Sequence, residues 1–378
     1  FGDFTATPPL DTAEADIDGE FFLEGGETGI DVRRNPEARD IRFTLARFGL
    51  EVTGAGPMDL DIDIGDASSQ STSSADMAAA VTIEGLSGAI GFLSGDIPRH
   101  TLELSLSEMT WDQNIIAPHD GGSILFDMAL SDFDLTYDVL ISLSDLERAP
   151  AEALAAGQYA RASASIADFA YSFAADTPEG AMTAETSSRD SETEIRLDRT
   201  GFRYAGTAGE TDARIGMPEQ SGLPFSDVGY SIARTTAELA FPVVPSDEPQ
   251  DFSLNLALIG LATEDAVWNL FDPDARLLRD PADLEIEIEG STILTADLTA
   301  DGPQPLSSTQ ARLNKLRLTI AGVELTGDGS ATETGSGGEF QGEAQLNLTL
   351  TGAHTLLDTL VDLGLLPDEQ AMGARMML

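Results

Sequence analysis

The side chains that most often carry out chemistry are scarce and isolated in this sequence. Its three histidines, His100, His119 and His354, lie far apart, whereas a helical zinc site needs two at short spacing. His119 adjoins Asp120, but neighbouring side chains along a chain do not normally face each other. The pair is typical of a polar turn before a strand. We therefore predict no catalytic or metal-ligating histidine.

The nucleophiles and phosphate cradles of common enzyme families are also missing. The chain has no cysteine, which excludes disulfides, thiol nucleophiles, Cys-ligated zinc and iron–sulfur clusters. Gly335-Ser336-Gly337 lies in a predicted flexible loop and not in a serine elbow between a strand and a helix. The sole lysine, Lys315, falls inside a predicted strand, so a P-loop is excluded. The sequence predicts a protein that is not an enzyme and that has no cofactor.

One run of aspartates begins with the spacing of a calcium loop. It consists of Asp59, Asp61, Asp63 and Asp66. Such a loop requires glycine at position six and glutamate at position twelve, but Ile64 and Gln70 stand there. Alternation along a strand places these carboxylates on one face of a sheet. A solvated sheet face is the better interpretation, and no metal site is predicted.

A second acidic cluster is mixed with arginines. It contains Asp272, Asp274, Arg276, Arg279 and Asp280. Because the arginines are close in sequence to the carboxylates, we expect local ion pairs and no bound metal.

The 66 acidic residues offer many carboxylate pairs, so a hydrolase with a dispersed acidic site is kept as a third hypothesis. Carbohydrate sites usually also contain aromatic platforms. Trp111 and Trp268 are the only tryptophans, and aromatic residues make up 6% of the chain. This composition disfavours a glycosidase.

The net charge of −46, from 20 basic and 66 acidic residues, limits the kinds of partner that the protein can bind. Such a field repels phosphate backbones and anionic head groups, so nucleic-acid binding and electrostatic docking on an anionic membrane are disfavoured. Solubility is the simplest role of the charge. Cation binding and a basic protein partner are left open.

The main structural signal is strict alternation of apolar and polar residues, which is typical of half-buried strands. It occurs in Asp59–Ile64, Thr101–Leu106, Glu194–Leu197, Ser253–Leu256, Leu284–Glu289, Leu316–Ile320 and Gln345–Leu350. We predict a mainly β fold, with a long twisted antiparallel sheet that curls into a groove or open barrel and a few short capping helices. The alternative is two β-sandwich-like units joined near 142–160.

Few segments carry helical signals. Ser144 and Glu147 form a capping box that predicts a short helix or two turns in a connector, interrupted by Pro150. Another short helix is predicted over Thr263–Phe271. A clearer one is predicted over His354–Leu363, after which Pro367 can open a further helix.

The same signals predict four parts along the chain. They are a β-rich N-terminal part over 1–141, a helical connector over 142–160, a β-rich C-terminal part over 161–353 and a helical cap over 354–378. Long mobile loops are predicted at Ala67–Ala75 and Ala331–Glu339, which are rich in Ser, Thr and Gly.

Two stretches of the second half resemble a known family. One comprises Ser246–Phe252, Trp268–Pro273 and Arg279–Ala282, and the other is Gly364–Met377. Over residues 240–378 the chain resembles the alphaproteobacterial family called domain of unknown function 2125. The resemblance implies a periplasmic protein exported by a signal peptide that is absent from this chain, and a further C-terminal strand beyond Leu378. It implies no activity and no site residue.

Two functions follow from these expectations. The first is a non-enzymatic periplasmic binding or envelope-maintenance protein that shelters a lipid or another apolar ligand in a β-groove. The alternative is a structural or accessory subunit of a cell-envelope assembly, bound to an envelope protein partner. No integral membrane segment is predicted, because the chain contains no run of 18 apolar residues.

Overall fold

The structure is a computed structural model of the chain. Its backbone is described for 4–6, 10–12, 15–24, 29–34, 38–64, 67–117, 122–177, 180–218, 226–297, 306–333 and 342–376. Side chains are described for 41–53, 76–116, 122–177, 180–218, 226–297, 306–333 except Ser308, and 342–376.

Strands make up most of the described chain. They are β1 (Phe4–Ala6), β2 (Leu10–Thr12), β3 (Ala15–Glu24), β4 (Gly29–Arg34), β5 (Ala38–Ile64), β6 (Ala67–Leu93), β7 (Arg99–Ala117), β8 (Gly122–Leu140), β9 (Tyr159–Thr177), β10 (Gly180–Asp198), β11 (Gly201–Ala208), β12 (Thr211–Gly216), β13 (Asp227–Ile232), β14 (Arg234–Phe241), β15 (Gln250–Thr263), β16 (Ala282–Leu294), β17 (Leu306–Ile320), β18 (Val323–Glu333) and β19 (Gly342–Thr351). All seven alternating segments lie in strands, as predicted.

All the strands belong to one antiparallel sheet, and each long strand pairs with the next along the chain. β11 and β12 lie one after the other beside β10, and β14 and β13 lie one after the other beside β15. Since β11 also pairs with β14 and β12 with β13, the pairings of these six strands close a ring. The predicted fold class is confirmed. The alternative of two sandwich-like units is wrong, because β8 and β9 pair directly across the predicted connector at 142–160.

The long strands are kinked at a common height by residues with positive φ. They are Gly85 (62°) in β6, Asp132 (46°) in β8, Asp190 (48°) in β10 and Gly260 (72°) in β15, which we call the kink row. The interruptions of the sheet follow the same line. Gly209 N–H donates to the Arg189 carbonyl (2.8 Å) beside Asp190, and Ala233 N–H donates to the Ile259 carbonyl (2.9 Å) beside Gly260.

The apolar–polar alternation changes phase by one residue at the kink row. In β8 the exposed residues are 125 and 127 before the kink, and 132, 134 and 136 from the kink onward. In β10 the alternate exposed residues are 185, 187 and 189 before the kink and 192 and 194 after it, and 181–183, 190 and 195 are exposed as well. A regular strand would carry its apolar side chains to the opposite face after such a shift. In β8 the kink therefore keeps the apolar side chains on one face along the whole strand.

Within the described part of the chain, five short helices lie at the ends of the sheet: α1 (Leu143–Arg148), α2 (Pro150–Ala155), α3 (Asp265–Trp268), α4 (Ala353–Asp362) and α5 (Asp368–Arg375). The cap of α1 is Ser142, whose hydroxyl accepts from Asp145 N–H at 3.4 Å, so the prediction of Ser144 as the cap is wrong. The helix predicted over Thr263–Phe271 is a single turn. Helices α4 and α5 agree with the prediction to within a residue at each predicted boundary.

The predicted mobile loop at Ala67–Ala75 is wrong, because these residues begin β6 and pair with β5. Ladder bonds use only the backbone, so a Ser- and Thr-rich run can still form a strand. Of the second predicted loop, residues 331–333 end β18 and residues 334–339 lie outside the described part of the chain.

Candidate functional site

The most extensive feature of the sheet is a band of apolar residues that lie directly opposite one another on successive strands. Its first row is Ile41, Ile90, Leu102, Tyr137, Ala162, Ile195, Tyr204, Leu239, Leu254, Ile288, Leu313, Gly329 and Leu346. Directly opposed residues of an antiparallel pair point to the same face. We call this row and its neighbour the apolar band.

The neighbouring row repeats the pattern two residues along each strand, and three along β17, where the register shifts. It is Phe43, Gly88, Leu104, Leu135, Ala164, Thr193, Gly206, Ala237, Leu256, Ile286, Leu316, Gly327 and Leu348. Thr193 is its only polar side chain. With strands about 4.8 Å apart, the twelve steps of each row span about 58 Å along the sheet.

The side chains of the apolar band remain accessible to solvent. Within the described chain, every band residue is half-buried or exposed, and Leu346 and Leu348 are 60% and 54% exposed. Residues in the core between two layers would be almost completely buried. The band therefore packs side by side within the sheet, with no second layer of described residues over it.

The band is closed at one end of the strands by α2. Leu154 of α2 and Leu294 at the end of β16 are both buried, with 2% and 0% exposure. The backbone N–H of Ala151 donates to Asp297 Oδ2 at 3.2 Å, which joins the helix to the segment that follows β16. This end is a small packed core, in contrast to the accessible band.

The other end of the strands is closed by the segment after α3. Asp272 is completely buried and accepts from the backbone N–H groups of Arg276 (2.9 Å) and Leu277 (2.8 Å). Burial alone would raise the pKa of Asp272, but the two backbone hydrogen bonds and the nearby arginines lower it. Arg276 also pairs with Asp362 of α4 (2.8 Å), and Arg279 pairs with Asp265 (2.5 Å).

The arginines of this second acidic cluster form ion pairs, but with Asp362 and Asp265 outside it, so the expected pairs within the cluster are not seen among the described residues. Asp272 has a structural role. Among the described residues, no group of three or more His, Asp or Glu is arranged to hold a metal ion.

The opposite, polar face contains an open trough of about 610 Å³. A row of directly opposed residues crosses it: Asp112, Asp127, Ser172, Glu185 and Arg214. Ser172 Oγ donates to Asp127 Oδ2 at 3.1 Å, and Arg214 pairs with Glu264 and, at 3.3 Å, with Asp227. Burial, and then the neighbouring Asp127, raise the pKa of Asp112. The trough is a mixed polar surface in which most charged side chains already contact an oppositely charged partner or face a like charge.

The histidines and the other residues singled out from sequence do not converge. His100 lies on β7 with its ring 5.2 Å from that of Phe92, and His354 lies in α4 at the opposite end of the strands. Asp59, Asp61 and Asp63 belong to β5, but their side chains lie outside the described residues. The same holds for the whole of Asp66, His119, Asp120 and Gly335-Ser336-Gly337.

The apolar band was missed from the sequence because it depends on register between strands. The sequence does carry a signal for the kink. Apolar residues of β7 and β8 otherwise recur every second position, but once in each strand the spacing is three residues, at Leu106 and Met109 and at Leu130 and Phe133. That spacing marks the kink row.

None of the helices in the described chain is both long and apolar enough to span a membrane. Comparisons with protein-family models, curated proteins and solved structures found no match. The resemblance to domain of unknown function 2125 therefore stays a prediction.

Proposed function

We propose that this protein is a non-enzymatic periplasmic binding protein that holds the acyl chain of a lipid, or another long apolar ligand, against the apolar band. The observation that carries the proposal is the band itself: two adjacent rows across thirteen strands, with Thr193 as their only polar side chain, and accessible throughout. The periplasmic location is supported by the family resemblance.

The energetics favour an extended ligand. Covering apolar surface contributes about 25 cal/mol per Å², so each methylene buried on the band contributes about 0.8 kcal/mol. A chain of about 16 carbons is roughly 20 Å long by the spacing of extended backbones. The band is about 58 Å long across the strands, so it offers space for more than one acyl chain.

The proposal is tested by titrating the protein with a fluorescent fatty acid. Leu254→Glu places a charge in the centre of the band, and Thr236→Glu places the same charge on the polar face of the neighbouring strand β14, opposite the uncharged Thr207 and Ala257. We expect the wild-type protein and Thr236→Glu to bind the probe, and Leu254→Glu to bind at least about tenfold more weakly, because charge in apolar surroundings is costly. Equal binding by the two variants would contradict the proposal.

A second candidate is the structural or accessory subunit of an envelope assembly. It is favoured by β19, in which all ten residues are exposed and Ala344–Thr351 carry no charge. Edge strands are usually protected by charges against pairing with other chains.

An extended segment of a basic envelope partner could add to this edge. Thr349→Lys places a charge on the edge and should abolish co-purification of such a partner at low salt. A wild-type protein that elutes as a lone monomer at low salt argues against this function.

A further inference from the structure

A group of arginines lies on the polar face where β9, β10 and β11 meet the α2 end of the sheet. Arg161, Arg196 and Arg203 are directly opposed on these three adjacent strands. Like charges directly opposite one another destabilise a sheet. Three of the chain's 20 basic residues thus stand in one unfavourable row, although 66 carboxylates are present in the chain. The row concentrates positive charge at one place on the polar face.

Two of these arginines line a pocket of about 340 Å³. Its walls include Arg161, Arg196, Gln158 and the turn between β10 and β11, which adds Arg199 and Thr200. Three arginines therefore line one small open space.

A single carboxylate, Asp198, lies among them. It is 8% exposed and accepts from Arg196 Nε (2.5 Å), while an Arg161 terminal nitrogen lies 3.5 Å away. Burial alone would raise the pKa of Asp198, but hydrogen bonds from Thr200 and Arg196 outweigh it and lower the pKa to about 2. Asp198 is thus ionised at neutral pH and neutralises one of the three lining guanidinium groups.

Asp138, which stands opposite Arg161 in the same row, already accepts hydrogen bonds from other residues. Asp138 accepts two hydrogen bonds from Arg99, both 2.7 Å, and one from the Tyr159 hydroxyl. Arg199 and Arg203 make no ion pair within the described part of the chain. The pocket therefore has an excess of positive charge, opposite in sign to the protein as a whole.

We propose that this pocket binds a phosphate-type oxyanion, either free or as the head group of an amphiphile. Guanidinium groups present planar pairs of N–H donors that match the oxygens of a phosphate. Asp198 contacts Arg196 through Nε and Arg161 through one terminal nitrogen, so each guanidinium keeps further N–H groups that Asp198 does not use. The site lies on the polar face, so it is independent of ligand binding on the apolar band.

The test measures binding of inorganic phosphate by calorimetry and of phosphatidylcholine vesicles, with and without phosphatidic acid, by co-sedimentation. Arg199→Gln removes one lining charge without removing an ion pair. Arg312→Gln is the matched control, because Arg312 is an exposed arginine of the same polar face that stands opposite Glu289 on β16. We expect Arg199→Gln to weaken binding about tenfold or more and Arg312→Gln to leave it unchanged.

The arms of the experiment separate the two sources of the oxyanion. Variant-sensitive binding of inorganic phosphate supports a free anion, and variant-sensitive binding only to vesicles with phosphatidic acid supports a head group. The thermal midpoint of Arg199→Gln should equal that of the wild-type protein without ligand. The proposal is overturned if the wild-type protein binds neither probe, or if Arg199→Gln binds as tightly as Arg312→Gln.

Discussion

Asp198 should contribute stability that depends on pH in a calculable way. Its pKa is about 2 in the folded protein, against 3.8 for the unperturbed group. Because the folded pKa is the lower one, the ionised carboxylate stabilises the fold fully above pH 3.8, and this contribution is lost as the pH falls through 2. At about 1.4 kcal/mol per pKa unit, it amounts to about 2.4 kcal/mol at pH 7 and about 1.3 kcal/mol at pH 3.

Asp198→Asn removes the charge but keeps the size of the side chain. We expect the variant to be about 2 kcal/mol less stable than the wild-type protein at pH 7, and the difference to fall to about half at pH 3. Urea unfolding curves at both pH values measure it. A difference below about 0.5 kcal/mol at pH 7, or one that does not change between the two pH values, would refute the argument.

Three further substitutions test the fold by thermal or urea unfolding. Gly85→Ala should lower stability by about 2 kcal/mol, because Gly85 has φ of 62° and an added Cβ would collide with Ser107 Oγ; unchanged stability would contradict the kink geometry. Ala321→Gly should raise stability by about 1 kcal/mol, since Ala321 has φ of 50° in the two-residue turn between β17 and β18; a loss would show that this backbone is wrong. Leu154→Ala should cost about 3 kcal/mol if α2 closes the end of the sheet, and a cost below about 1 kcal/mol would show that it does not.

The strands were predictable because their alternation is local. Segments such as Leu284–Glu289 carry one apolar and one polar face in their own sequence, whatever their neighbours are. Helix His354–Leu363 was predictable for the same reason. Ala67–Ala75 was not, because its composition is that of a loop and only pairing with β5 makes it a strand.

The candidate sites could not be predicted in the same way. Arg161, Arg196 and Arg203 are separated by 35 and 7 residues, and only the register of three strands makes them neighbours. The apolar band likewise joins strands from β5 to β19. In both cases the chemistry is set by which residue faces which across the sheet, and that depends on turns and kinks far from the residues themselves.

Native mass spectrometry of the full chain, purified from a lipid-containing lysate and exposed to a mixture of fatty acids and phospholipids, tests most directly whether the apolar band holds an acyl chain. The wild-type protein and Thr236→Glu should carry lipid adducts, and Leu254→Glu should carry few or none. A wild-type protein that appears only as the bare chain, or a Leu254→Glu variant that retains the same adducts, would contradict ligand binding on the band.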